Sequence, residues 1–477
     1  MTIEIDRRPL WLLLLIRAGR PIFFLAVTAL FLYLVAMPTP AGLSVAGQRA
    51  IAVFLVCLVF WVSGVVPLSV TGILAMVLVP LLGVLSKKDT YAIFGNEAVF
   101  FILGAFILAG AVMHSGLSGR IALNIMSKFG SSPKRLLLSI FILAGVLSFF
   151  MSEHAVAAML FPIVLEISKA LGLRPGKSNY AKLLFFALAW GCVIGGVATF
   201  LGGARVPLAI GILKETTGRS IEFMDYTIAV FPLVVIMMCA GYFLLTRFFP
   251  IDVAGVENAR GVLEKRLKNL GKINFDEYAV GVLLLVTVLA WMFLGRSLGL
   301  ATIALSAVVA LFVLKLVSWK DIEEYVNWGV ILMYGGAIIL GTALERSGAA
   351  QWIVHTVIGK WFTTPASVFA ALSLMSILLT EAISNAAVIA ILLPVSVGIA
   401  GKLSIDPSIL TYAIAVPAGL AFMFPMSTPA NAIAVSSNYV SVKDMAIGGF
   451  IMCIAAWVVF NLCAYFYWPL VGIGYTR

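Results

Sequence analysis

Charged residues are scarce in this sequence: Asp, Glu, Lys and Arg together make up 11% of its 477 residues. So little charge cannot cover the surface of a water-soluble chain of this length, which excludes a soluble domain. The 5 cysteines lie within apolar stretches and lack the spacing of metal ligands, so they are predicted to be buried thiols rather than ligands or disulfide partners. The sequence has no phosphate-binding loop, which argues against direct energising by ATP.

Long apolar runs dominate the chain instead. Hydrophobic residues make up 62% of it, and many runs approach the ~20 residues that cross a bilayer as a helix. The net charge of +11 comes from Lys and Arg in short connections, where membrane proteins keep them on the cytoplasmic side, and it does not indicate nucleic-acid binding. The sequence predicts an all-α polytopic protein of the cell membrane. Its eleven predicted spans are 22–38, 48–67, 69–86, 97–118, 181–202, 226–247, 275–296, 298–318, 328–346, 408–430 and 445–470.

A duplication organises these spans. Gly104–Gly116 recurs as Gly336–Gly348 with 7 of 13 residues identical, and Ser148–Pro162 recurs as Thr380–Pro394 with 6 of 15, both at an offset of 232 residues. The first pair falls on the fourth and ninth spans, and a re-entrant hairpin adds an even number of passes, so the two copies run in opposite directions. Inverted repeats of this kind are typical of secondary transporters.

Two further apolar blocks, 136–171 and 365–401, are interrupted by the polar sequences MSEHA and ISNAA. Non-helical backbone at membrane depth is tolerated only where it lines a cavity, so both blocks are predicted to be re-entrant hairpins whose tips form a site. The basic clusters fall on one side of this scheme, which predicts a cytoplasmic N-terminus and an extracytoplasmic C-terminus. The predicted segments are an interfacial N-terminal segment 1–21, a first half 22–247, a cytoplasmic linker 248–274 and a second half 275–477.

Each half also contains a break in a later span, GGARVP at 202–207 and STPAN at 427–431. The order of hairpin, broken helix, linker, hairpin and broken helix resembles the divalent anion/sodium symporter family, which transports dicarboxylates, citrate and sulfate. The resemblance covers nearly the whole chain. That family carries a Ser-Asn-Thr triplet at each hairpin tip and a Thr-Pro-Pro-Asn type of break in each half. In this sequence the triplets read Ser152-Glu153-His154 and Ser384-Asn385-Ala386.

The resemblance implies two sodium sites with a substrate site between them. Hydroxyl, amide and carbonyl oxygens are hard donors that suit small cations, and the amides of hairpin tips suit carboxylates or sulfate. The first sodium site would comprise Ser148, Ser152, Glu153 and Gly202. The second would comprise Thr380, Ile383 through its carbonyl, Asn385 and Ser427. The substrate would contact Glu153, His154, Gly203, Asn385, Ala386, Thr428 and Pro429.

Charged and titratable residues in the first half depart from the family's pattern. Because a charge inside a membrane protein indicates function, Arg205 is predicted to compensate negative charge from Glu153 or from the substrate. In one interpretation, Glu153 pairs with Arg205 or His154 as fixed architecture. In the other, Glu153 and His154 take up and release a proton during the cycle. Glu381, beside Thr380, is predicted to brace the hairpin rather than to bind substrate.

These features predict a secondary active transporter of a small anion, a di- or tricarboxylate, coupled to sodium, to protons or to both. The resemblance implies an elevator-type movement of a hairpin-containing region against a scaffold, in a homodimer. An anion exchanger and a sulfate transporter of the same fold are alternatives. A different class is an intramembrane enzyme with Glu153 and His154 as acid and base. No nucleophile or metal-ligand set accompanies those two residues, so the sequence favours transport.

Overall fold

A computed structural model of the chain describes residues 10–358 and 364–474, and over these residues the fold is helical and contains no strand. Short π-helical or 3-10 turns occur at Val354–Ile358, Pro417–Gly419, Cys463–Tyr467 and Trp468–Val471. The α-helices in chain order are α1 Leu10–Ala36, α2 Val45–Ser63, α3 Leu68–Leu81, α4 Lys87–Phe94, α5 Glu97–His114, α6 Leu117–Phe129, α7 Pro133–Leu147, α8 Glu153–Ala170, α9 Asn179–Gly195, α10 Arg205–Thr217, α11 Phe223–Phe248, α12 Glu257–Leu270, α13 Phe275–Leu298, α14 Leu300–Val313, α15 Trp319–Ile322, α16 Trp328–Arg346, α17 Ala349–Ile353, α18 Pro365–Thr380, α19 Asn385–Leu403, α20 Pro407–Ala415, α21 Pro429–Ser436 and α22 Val442–Leu462.

Every predicted span falls on a helix, and the described residues include seven helical stretches long and apolar enough to cross a membrane. Five predicted spans fall on shorter apolar helices. Two of these, 181–202 and 408–430, are short because α9 ends at Gly195 and α20 ends at Ala415, after which the backbone unwinds. The seven long stretches are Val45–Ser63, Lys87–His114, Phe223–Phe248, Phe275–Leu298, Trp328–Arg346, Asn385–Leu403 and Val442–Val471.

The two halves are related by an inverted repeat, as the sequence predicts. Helices α2–α11 recur in order as α13–α22, so α14 is equivalent to α3 and α16 is equivalent to α5. Each packs against the other half in the same way: α3 contacts α16, and α14 contacts α5. Glu97 at the start of α5 forms an ion pair with Lys214 at 2.5 Å. Arg346 at the end of α16 forms an ion pair at 3.3 Å with Glu215, the residue that follows Lys214. The beginning of one copy and the end of the other therefore lie on the same side, so the copies are antiparallel.

The repeated glycines are explained by close helix packing. A Cβ atom on Gly104 of α5 would lie 2.7 Å from Ala304 of α14. A Cβ on Gly336, the equivalent residue of α16, would overlap the backbone of Gly72 in α3. Small residues let transmembrane helices approach closely, which gains van der Waals contact. The first glycine of the repeated motif is thus kept in both halves because it faces an equivalent neighbouring helix.

Two of the basic clusters, one containing Arg120 and one containing Arg266, contact acidic or carbonyl groups at one end of the molecule. Arg120 at the start of α6 bonds Glu277 at 2.9 Å and the carbonyl of Gly271 at 2.7 Å. Arg266 of α12 pairs with Glu166 near the end of α8. The segment 248–274 therefore contains a helix, α12, that packs on α6 and α8.

The predicted N-terminal segment 1–21 is described only in part. Residues 1–9, including Arg7 and Arg8, lie outside the described residues. From Leu10 onward the backbone is already helical and continues without interruption into the first predicted span, as α1. The apolar sequence around residues 11–16 accounts for this early start, since it extends the same hydrophobic pattern.

Candidate functional site

Each interrupted apolar block folds as two helices joined at its polar sequence. Helices α7 and α8 meet at residues 148–152, and α18 and α19 meet at 381–384. Ser152 caps α8 by accepting a hydrogen bond from the amide of Ala155 at 3.3 Å, and Ser384 caps α19 by accepting one from the amide of Ala387 at 3.2 Å. A serine stands at both tips because its hydroxyl satisfies an amide that has no partner within the helix.

The two broken helices close on these tips. Between α9 and α10 the backbone unwinds, and the amide of Glu153 donates to the carbonyl of Gly202 at 3.0 Å. Between α20 and α21 it unwinds again, and the hydroxyl of Thr380 donates to the carbonyl of Ala418 at 2.8 Å. Each hairpin tip is thus held by the carbonyl of an unwound segment from its own half.

A cavity of ≈ 990 Å³ lies between the two tips and the two breaks. Arg205, predicted to compensate Glu153 or the substrate, lines it together with all seven residues predicted to contact the substrate: Glu153, His154, Gly203, Asn385, Ala386, Thr428 and Pro429. The predicted cation ligands Ser152, Gly202 and Ser427 also line it, whereas Ser148, Thr380 and Ile383 are buried behind it. The structure therefore brings the predicted residues of both halves together.

The opposite wall of the cavity was not predicted. It comes from α5, with Phe106 and Met113, from the connection before α16, with Glu324 and Asn327, and from Trp328 at the start of α16. This connection lies at the same end as the helix α12. Asp321 of the adjacent α15 lies 3.8 Å from His114 at the end of α5, and α12 packs on α6, which follows α5 directly. Asn327 caps α16 by accepting a hydrogen bond from the amide of Val330 at 3.2 Å. This cap before a repeated span is the sequence signal for the part of the wall that the connection forms.

Four helices begin at this cavity. The first residues of α8, α10, α19 and α21 are Glu153, Arg205, Asn385 and Pro429, and all four line it. The amino end of a helix carries partial positive charge and unpaired amide groups, and it is a natural site for an anion. The arrangement is therefore suited to a small anion held between the two halves.

In the first half, Glu153 and Arg205 form a buried ion pair. Nη1 of Arg205 lies 3.6 Å from Oε2 of Glu153, which is too far for a hydrogen bond, and Nη2 donates to the carbonyl of Gly196 at 2.6 Å. A Cβ atom on either Gly203 or Gly419 would overlap the guanidinium, so a larger residue at either position would displace it. The side chain of Arg205 thus lies between the broken helices of the two halves.

In the second half, the corresponding space holds a neutral amide. The amide group of Asn385 ends 2.7 Å from the hydroxyl oxygen of Thr380 and 3.3 Å from the carbonyl oxygens of both Ala418 and Ser427, and with its nitrogen turned toward them it donates to all three. Three oxygens therefore converge on one point, and rotation of the amide would add a fourth. Such a set of hydroxyl, carbonyl and amide oxygens fits a small hard cation. Ile383, whose carbonyl belongs to the predicted set, is buried at the same tip.

Glu381 braces the second hairpin in the way that the sequence predicts. Its carboxylate is 3% exposed and accepts hydrogen bonds from the amides of Phe422 at 2.6 Å, Met423 at 3.0 Å and Phe424 at 3.2 Å. The thiol of Cys453 in α22 donates to it at 3.0 Å. One side chain therefore fixes the hairpin, the unwound segment and α22 relative to each other.

We expect Glu381→Gln to lower the thermal stability of the purified protein, because glutamine places a donor where the carboxylate accepts. Leaving a buried amide without its acceptor costs about 1–3 kcal/mol. Thermal unfolding in detergent measures the effect. Glu264→Gln is the matched control, since Glu264 is 55% exposed on α12. Equal unfolding temperatures for the two variants would contradict the bracing role.

Comparison with known proteins agrees with this geometry. Residues 21–473 match the sodium:sulfate symporter transmembrane region. The chain belongs to this family. The resemblance to divalent anion/sodium symporters is thereby confirmed, and because the family consists of transporters, the alternative of an intramembrane enzyme is excluded.

Individual relatives extend over nearly the same length. The sodium-dependent dicarboxylate transporter SdcS of Staphylococcus saprophyticus is 28% identical over 96% of this chain and 92% of its own, and that of Staphylococcus aureus strain MW2 is 28% identical over 95% and 92%. Two solved structures share the fold. The YdaH transporter of Alcanivorax borkumensis has a TM-score of 0.54 and 14% identity over 80% of this chain and 88% of its own. The Neisseria gonorrhoeae efflux pump MtrF has a TM-score of 0.58 and 14% identity over 91% of this chain and 96% of its own.

Proposed function

We propose that this transporter carries a small dicarboxylate across the membrane together with sodium. The observation that carries the proposal is the single cavity at which four helices begin, directly beside the converging oxygens of Thr380, Ala418 and Ser427. The relatives named as sodium-dependent dicarboxylate transporters support both the substrate class and the coupling ion. An anion held by helix ends and a cation held by carbonyls of the same tip would each make the other's binding more favourable.

Roles follow from the positions of the residues. The substrate would lie against His154 and Gly203 of the first half and against Ala386, Thr428 and Pro429 of the second. Sodium would be held by Thr380, Asn385, Ser427 and the carbonyl of Ile383, with Ala418 as an additional carbonyl ligand. Asn385 contributes to both because its side chain lines the cavity and also touches the oxygen cluster.

The transport cycle would move the substrate with the elements that hold it. We assign the moving region to the two hairpins, α7–α8 and α18–α19, which would be re-entrant, and to the broken helices α9–α10 and α20–α21. The scaffold would comprise the spans before each hairpin, and it would also mediate homodimer formation. With eleven crossings, the end that carries α12 would be cytoplasmic together with the N-terminus, and the C-terminus would lie outside. The cavity, which reaches that end, would then open inward.

Sodium rather than a proton is the proposed coupling ion, because Glu153 is already paired with Arg205. We expect wild-type protein and Glu153→Gln to show matching pH profiles of uptake once the ionisation of the substrate is corrected for. Initial rates in reconstituted vesicles over a range of about pH 6 to 8 measure this. Uptake that accelerates below neutral pH in the wild type but not in Glu153→Gln would establish proton coupling instead.

A thermal-shift screen tests the substrate class. Any ligand that binds the folded state alone raises its apparent stability, so purified protein is heated with succinate, citrate, sulfate or phosphate, each with and without sodium. We expect succinate to stabilise the protein, and to do so more strongly with sodium. Stabilisation by sulfate alone would favour an inorganic-anion transporter. Stabilisation by dicarboxylate that is independent of sodium would favour an anion exchanger.

A further inference from the structure

Two pairs of equivalent positions carry different residue types in the two halves. The pseudo-equivalent of Glu153 is Asn385, and the pseudo-equivalent of Arg205, counted from the two breaks, is Ala430. One half therefore has an acid and a base where the other has an amide and a small apolar residue. Because the first half carries both the acid and the base, its local charge stays balanced. Nη1 of Arg205 lies 3.6 Å from Oε2 of Glu153.

Equivalent backbone carbonyls in the two halves accept hydrogen bonds from different kinds of side chain. In the second half, the carbonyl of Ala421 accepts a hydrogen bond at 3.1 Å from the neutral amide of Asn431. In the first half, the equivalent carbonyl of Gly196 accepts at 2.6 Å from the guanidinium of Arg205. A permanent positive charge therefore lies at the first break, where the second break has an uncharged donor.

Two of the oxygens predicted to bind a cation in the first half already accept hydrogen bonds. The carbonyl of Gly202 accepts from the amide of Glu153, and the hydroxyl of Ser152 accepts from the amide of Ala155. The hydroxyl of Ser148 is fully buried and has no hydrogen-bond partner among the described residues. A cation would have to displace the amides of Glu153 and Ala155, and it would lie beside the positive charge of the guanidinium.

The second half has the uncharged Ala430 at the position of Arg205. Its oxygens converge on the amide group of Asn385, and an amide can rotate to present its oxygen instead of its nitrogen. A guanidinium has only donors and cannot become a ligand in any orientation. Its charge also remains at every pH that a protein tolerates. The second site can therefore alternate between an empty and a cation-bound state, whereas the first site cannot.

We propose that Arg205, paired with Glu153, permanently takes the place of the coupling cation in the first half, so that each protomer binds sodium only at the second-half site. This inference deepens the proposed function and rests on it for the identity of the cation. It replaces the expectation that Ser148, Ser152, Glu153 and Gly202 form the first sodium site. A carrier built in this way would move one sodium ion fewer with each substrate than a carrier with both sites.

Equilibrium binding of radioactive sodium to purified protein tests this directly, without any transport. We expect one sodium ion per wild-type protomer and none for Asn385→Ala. The double variant Glu153→Asn with Arg205→Ala restores a neutral amide and removes the guanidinium, so it should bind two. Thermal unfolding in detergent establishes that each variant is folded before binding is counted.

Two sodium ions per wild-type protomer would overturn the proposal, and so would a folded double variant that binds no more sodium than the wild type. If the double variant does not fold, the wild-type count alone decides between one ion and two. Failure of the proposed function is seen separately, as the absence of sodium-dependent succinate uptake in vesicles, because the sodium count needs no substrate.

Discussion

Replacing Asn385 by alanine is expected to abolish sodium-dependent uptake while leaving the protein folded. The amide of Asn385 touches the oxygens of Thr380, Ala418 and Ser427 and lines the cavity, so the variant loses a cation ligand and a substrate contact together. Loss of even an outer-shell partner of a metal ligand typically lowers affinity or activity about 10–100-fold. A direct ligand should cost more, so uptake at limiting sodium should fall at least about a hundredfold.

The matched control is Asn124→Ala on α6. Asn124 is half-buried and its amide donates to the carbonyl of Arg120 at 3.0 Å, away from the cavity. Both variants lose an asparagine with a carbonyl partner, but only one lies at the predicted site. Initial rates of succinate uptake over a range of sodium concentrations compare them. Wild-type rates in a well-folded Asn385→Ala protein would show that the cation binds elsewhere.

Arg205→Ala is expected to be severely destabilising, and Glu153→Gln should partly reverse the defect. Removing one member of a buried ion pair leaves the other charge without compensation, which costs about 3–5 kcal/mol. Neutralising the remaining carboxylate removes that cost, so the double variant should be more stable than Arg205→Ala alone. The expected coupling is about 1–3 kcal/mol, measured from thermal unfolding of the two single variants and the double variant.

Arg260 and Glu264 on α12 provide the control cycle. Their side chains are 56% and 55% exposed and 2.7 Å apart, and exposed pairs four residues apart on a helix contribute only about 0.3–0.5 kcal/mol. Additive effects of Arg205→Ala and Glu153→Gln would show that the two side chains do not interact. A stable double variant that remains inactive would instead assign Arg205 to the substrate.

The sequence predicted the parts of this fold that are marked by residues close together in the chain. The glycines of the duplicated segment mark close helix contacts, so Gly104 and Gly336 were visible before their partners were known. The serines at both hairpin tips mark helix starts, and the breaks at 202–207 and 427–431 mark unwound backbone. These signals depend on residues near each other in the chain, so they located the tips and the breaks, whereas the individual cavity residues were implied by the family resemblance.

Other features depend on contacts between distant segments. The sequence placed Glu381 beside the tip but could not show that the amides of Phe422 and Phe424 are its partners, because those residues carry no polar side chain. Glu324 and Asn327, which form part of the opposite wall, lie in a connection without a repeated motif. Nor could the sequence predict that Arg205 reaches Gly196, since that bond requires the unwound segment to fold back on itself.

Uptake of labelled succinate into vesicles containing only this protein tests the central claim most directly. With sodium outside and none inside, succinate should accumulate above its external concentration and be recovered chemically unchanged. Collapse of the sodium gradient by an ionophore should then release it. Equal accumulation in the absence of sodium would contradict sodium coupling, and uptake only into vesicles preloaded with dicarboxylate would show an exchanger instead.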